Sequence, residues 1–183
     1  MFLRTKLLLL VINLSLLFLL SLSPFSHADS LKQSQIKAVY LFNIALFLTW
    51  PNNTFKSPEQ PFRLCILGKD PFGIELDIVV ENEKIEGHPV VVPRFSTVEM
   101  SRYCQILFIN QAEQNNLAMI FAYLSKRPIL TISSIKNFVT QGGMIQFFNT
   151  QNNQVRLMIA PKTLKEIGIK ASANLLEIAK IIN

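Results

Sequence analysis

Histidine, cysteine and acidic residues are all scarce in this sequence, and each shortage removes a class of chemistry. The 183 residues include two histidines and two cysteines, with 12 acids against 18 bases. One histidine, His27, falls in an N-terminal stretch that reads as a leader, which leaves His88 alone in the rest of the chain. A single imidazole cannot build a zinc site without carboxylate or thiolate help, and Ser-His-Asp catalysis would need that same residue. No G-x-S-x-G elbow, Walker A loop or dinucleotide fingerprint occurs. His88 lies in the turn-like Glu86-Gly87-His88-Pro89 and reads as a solvated loop residue. The carboxylates cluster between Glu75 and Glu86, where Glu81, Glu83 and Glu86 flank a hairpin-like turn. A solvated face accounts for them better than the converging pair of acids a glycosidase requires. No catalytic residue, metal ligand or cofactor is therefore assigned, and the chain is read as a non-enzyme.

A nucleic-acid groove is also disfavoured. The basic residues are scattered along the chain, and the 14 phenylalanines sit in apolar runs instead of alternating with Lys or Arg.

What is present begins at the N-terminus. Arg4 and Lys6 precede an apolar stretch from Leu7 to Leu20, interrupted only by Asn13 and Ser15. Ser21 to Pro24 is turn-prone, and Ser26-His27-Ala28 supplies the small residues a signal peptidase accepts, so cleavage is expected before Asp29. A retained membrane anchor is the alternative, although the apolar run is at or below the roughly 17 to 25 residues of a span. Removing residues 1–28 leaves 155 of the 183, the size of one domain, and lowers the formal charge from +6 to +4. The expected location is the periplasm. Cys65 and Cys104 both lie in the exported part, where an even pair implies a disulfide; two buried thiols are the alternative.

Asp29 or Ser30 can cap a helix over about Gln33 to Thr49, ended by Pro51. Its sequence is apolar nearly all round, so it is either buried on both sides or docked on a partner. The runs FRLCILG, PVVV, QILFIN and PILTI then read as parallel strands covered on both faces. Helix-compatible stretches at Phe72–Val80, Thr97–Tyr103 and Asn115–Ser125 separate them, which predicts a doubly wound α/β sheet. MIQFFN and QVRLMI, joined by the turn Thr150 to Asn153, predict an antiparallel hairpin extending that sheet. Two helices are expected last, over Pro161–Ile167 and Ser172–Ile182.

The loop Gly68-Lys69-Asp70-Pro71-Phe72-Gly73 follows a strand and opens a helix. It is the candidate ligand loop, through Gly68, Lys69, Asp70 and Gly73, at the carboxyl edge of the sheet. Gly142-Gly143 reads as backbone freedom before a strand. Phe42, Leu46 and Trp50 in the first helix, with Leu175, Leu176, Ile178 and Ile182 in the last, are the candidate partner surface, since they exceed what one buried stripe needs.

Taken in order, FLTWP, CILGKDPFG, YCQILFI, PILTI, GGMI and GIKASANLLEIAKI resemble the YfiR-like periplasmic proteins over about Ile36 to Ile181. The resemblance implies a Rossmann-like three-layer α/β sandwich with a mostly parallel sheet. It also implies a repressor that binds the periplasmic region of an inner-membrane diguanylate cyclase, lowering cyclic-di-GMP and biofilm formation. An outer-membrane lipoprotein would sequester the repressor. Cys65 and Cys104 sit where the family places a paired cysteine, whereas the second pair of some members has no counterpart here. Two departures are Gln105, where members often carry His, and Ala160-Pro161, where they carry a polar residue. The alternative function is a periplasmic small-ligand sensor or carrier acting beside a sensor kinase or outer-membrane receptor. Homodimerisation is left open.

Overall fold

The computed structural model describes residues 25–182, with side chains from residue 31. Most of the expected leader, residues 1–24, lies outside the described residues. The chain divides into a segment ending at Gln33 and a body starting at Ser34, and the fold described is that of the body.

In chain order the elements are α1 (Phe25–Leu46), β1 (Leu48–Thr49), β2 (Phe62–Leu67), α2 (Ile74–Val80), β3 (Lys84–Ile85), β4 (His88–Val91), β5 (Arg94–Phe95) and β6 (Ile106–Ile109). They continue with α3 (Leu117–Leu124), β7 (Leu130–Ser133), β8 (Ile145–Asn149), β9 (Val155–Ile159), α4 (Pro161–Glu166), β10 (Lys170–Ala171), α5 (Ala173–Ile178) and β11 (Lys180–Ile181). Short 3-10 turns occupy Val98–Tyr103, Gln111–Asn116 and Val139–Gln141.

One sheet runs in the order β11-β9-β8-β7-β6-β2-β4-β3, with β5 also on β2. The strands from β4 through β2, β6 and β7 to β8 are parallel; β9 folds back antiparallel on β8, as the hairpin pattern predicts. The fold is thus mixed α/β with a mainly parallel sheet. Continuous apolar runs make its centre because both faces are covered. Alternate residues of β2 point to opposite sides. Leu64 and Ile66 join the cluster containing α1, α2, α4 and α5 residues, whereas Cys65 and Leu67 join the one holding Val98 and the α3 residues Leu117, Ile120 and Leu124.

β4 and β5 run as two segments along the same side of β2, split at Pro93, which has no N–H to give to the ladder. Pro93 still accepts from the Ile66 amide at 2.9 Å, so the pairing to β2 resumes beyond it.

Three elements differ from the sequence reading. Helix α1 begins at Phe25, ahead of the expected Asp29 or Ser30 cap, and ends at Leu46, not Thr49, because Leu48 and Thr49 extend and pair antiparallel with Ala171 and Lys170. The final helix stops at Ile178; Ala179 is extended, and Lys180 and Ile181 pair with Met158 and Ile159 as the last strand of the sheet. The Thr97–Tyr103 stretch is a 3-10 turn, not an α-helix. Ser172 does cap α5, accepting from the Leu175 amide at 3.3 Å.

Candidate functional site

Cys65 sits inside β2 and Cys104 immediately before β6, the neighbouring strand. Their Cα atoms are 6.0 Å apart and their sulfurs are bonded. Both residues are buried in the cluster with Leu107 and Phe138, so the bridge staples the Val98–Tyr103 turn to that face of the sheet.

At the carboxyl ends of the strands, the Gly68–Gly73 loop is folded on its own groups. Asp70 accepts from the Phe72 amide at 2.7 Å, and Phe72 is buried edge-on against Phe108. Arg94 reaches over from β5 to Asp70 at 2.6 Å, to Asp77 at 2.7 Å and to the Gly73 carbonyl at 3.1 Å. These carboxylates hold the Arg94 proton more tightly than usual, against the opposing effect of partial burial. Gly68 takes a positive φ of 85°, and a Cβ there would lie 3.2 Å from Asn110 and 3.1 Å from the Glu113 carboxylate, so glycine is needed for the close approach. Lys69 is the exposed charge of the loop.

His88 corrects the solvated-loop reading. It opens β4, is only 9% exposed, and stacks on Phe55 with ring centroids 3.7 Å apart. Its Nδ1 lies 2.7 Å from the Gln60 carbonyl. The histidine therefore pins the 52–60 loop to the start of β4, a role the isolated turn sequence does not reveal.

The candidate partner surface divides in two. Phe42, Trp50 and Leu175 are buried in the core, Trp50 edge-on against Phe62, and do not belong to any surface. Leu46 and Ile178, by contrast, are 52% and 60% exposed. Leu176 packs against the core while partly accessible, as is Ile182. Leu46 leads through the exposed Phe47 into β1, and α5 follows β10, so the exposed pair leaves from the two strands of one small ribbon. The Ser172 amide donates to the Phe47 carbonyl at 2.9 Å, closing that ribbon.

At the amino ends of the central strands, opposite the glycine loop, lies a cleft of about 470 Å³. Arg63 of β2, Arg102 and Tyr103 before the disulfide, and Arg127 before β7 line it, with Lys56 from the loop that His88 anchors. Gln105 also lines it, its backbone N–H donating to the Arg63 carbonyl at 3.0 Å and its side-chain Oε1 accepting from the Arg63 backbone N–H at 2.7 Å. Sequence reading missed this site, because its basic residues are far apart along the chain and only strand order gathers them. Among the described residues no group of three or more His, Cys, Asp and Glu side chains is placed to hold a metal ion, and no helix is long and apolar enough to cross a membrane.

No curated protein matches the chain in sequence. A family model described as YfiR/HmsC-like matches residues 34–180, nearly all of the body. On that match the chain belongs to the YfiR/HmsC-like family.

Proposed function

We propose that this chain is a periplasmic regulatory protein that binds the periplasmic region of an inner-membrane signalling protein, a diguanylate cyclase, and holds it inactive. Lower cyclic-di-GMP and less biofilm would follow. The observation that carries this reading is the family match over residues 34–180, which spans the folded body and not an isolated motif. The disulfide between Cys65 and Cys104 supports an oxidising compartment, and with it removal of residues 1–28 on export. Exposed Leu46 and Ile178 support a docking role, with Leu176 in α5 and Ile182 after β11 partly accessible as well. An outer-membrane lipoprotein is the proposed sequestering partner.

Inhibition without catalysis needs differential affinity: the chain must bind the inactive conformer of its target more tightly than the active one. In-cell crosslinking of the tagged chain, followed by mass spectrometry of the membrane fraction, tests the assignment. Recovery of a membrane cyclase, lost on Leu46→Asp, is the expected result. A chain found in the cytoplasm with Met1 retained and both thiols reduced would overturn it.

A further inference from the structure

The cation-lined cleft at the amino ends of β2, β6 and β7 is a feature that the regulatory reading does not use. Its four basic side chains lie at positions 56, 63, 102 and 127, brought together because Leu64, Ile106 and Leu130 are in register on adjacent strands. No carboxylate lines the cleft. Among the described residues the ion pairs fall on Arg94, at the carboxyl end of β2, and none involves these four side chains. Four like charges around one concavity repel each other, and a concave wall focuses their field into the space between them.

Two of the guanidinium groups are already positioned. Arg127 lies over the Tyr123 ring, 5.0 Å from its centroid, and donates through Nε to the Tyr123 carbonyl at 3.2 Å, leaving its other N–H groups for a ligand. Arg102 lies over the Tyr103 ring at 4.6 Å. Arginine planes held on aromatic faces lose little freedom when they grip a planar or tetrahedral oxyanion. The Thr54 hydroxyl in the cleft wall is buried without a hydrogen-bond partner, a further sign of unsatisfied polarity there. The cleft is of small-molecule size, and its concave shape does not suit a flat macromolecular partner.

We infer that this cleft binds a small polyanion, an organic or inorganic molecule carrying two or more phosphate or carboxylate groups, gripped by Arg63, Arg102 and Arg127 with Lys56 closing from the loop. This assignment is independent of the cyclase reading, since it concerns the opposite end of the central strands from the glycine loop and uses no residue of the proposed docking surface.

Calorimetry on the purified chain at low salt tests it with pyrophosphate and citrate as probes and with phosphatidylglycerol vesicles as a third arm. Binding of pyrophosphate or citrate with 1:1 stoichiometry is expected, weakened about tenfold or more in Arg63→Gln/Arg127→Gln, as loss of charge-assisted hydrogen bonds requires. Arg102→Gln, at an exposed position, should weaken binding severalfold with an unchanged unfolding midpoint, which separates loss of the site from loss of the fold. Lys180→Gln on β11 should change nothing. Absence of binding by both soluble probes, equal affinity in the cleft variants, or binding to vesicles alone would each overturn the inference.

Discussion

Gly143 shows how a single missing side chain can be a packing requirement. A Cβ at this position would lie 2.2 Å from the ring of Phe138, which is fully buried. The sequence suggests only backbone freedom for the Gly142-Gly143 pair. That holds for Gly142, which ends the Val139–Gln141 turn at a φ of 107°, whereas Gly143 makes room for an aromatic ring. Gly143→Ala is therefore expected to cost about 1–3 kcal/mol by overpacking. Urea unfolding followed through the single tryptophan, Trp50, which is buried, measures this directly.

Lys37 gives the opposite sign. Burial lowers its pKa from the ordinary 10.5, because the charged form loses hydration in the cleft that Lys37 lines with Phe147. Between the lowered folded value and 10.5 the unfolded chain binds more protons than the native one, so stability rises with pH across that window. Below it the penalty is fully present. Lys37→Met should accordingly raise the urea midpoint at neutral pH, and its advantage should vanish above pH 10.5.

At the scale of elements, the disulfide and helix α1 carry the sharpest expectations. The bridge closes a loop of sequence separation 39, and in the chain-entropy account opening it costs about 4 kcal/mol. Cys65→Ser/Cys104→Ser should lower the unfolding midpoint correspondingly, while the wild type in mild reductant should resist because both residues are buried. Helix α1 has a buried side, with Ala38, Leu41, Ile44 and Ala45, and an exposed apolar side, with Val39 and Leu46. Leu41→Ala should cost about 2–5 kcal/mol. Leu46→Asp should leave the unfolding midpoint nearly unchanged and act on partner capture instead.

Much of the fold could be read from the sequence because its central strands are short apolar runs bounded by turn residues. The hairpin of β8 and β9 announced itself by alternation around Gln146 and Arg156. The misread ends share one cause. Leu48-Thr49 and Lys180-Ile181 continue apolar helical sequences without a break, and only tertiary pairing with Lys170-Ala171 and Met158-Ile159 makes them extended. His88 was opaque for the same reason, since Phe55 and Gln60, which hold it, belong to a loop 28 or more residues away. The cation cleft lay hidden in residues that look scattered until β2, β6 and β7 are placed side by side.

For the whole molecule, membership of the YfiR/HmsC-like family and the disulfide-linked body support a regulator working outside the cytoplasm. The residues provide a mixed α/β scaffold with exposed apolar side chains at Leu46 and Ile178. Under the proposed function the chain acts by occupancy, and its removal is then predicted to release its target. The most direct measurement is cellular cyclic-di-GMP in the native host, compared between the intact strain, a deletion of this gene, and the deletion complemented with wild-type or Leu46→Asp protein. A rise on deletion, reversed by the wild type and not by Leu46→Asp, is predicted; unchanged cyclic-di-GMP in a strain that expresses the protein would contradict the account.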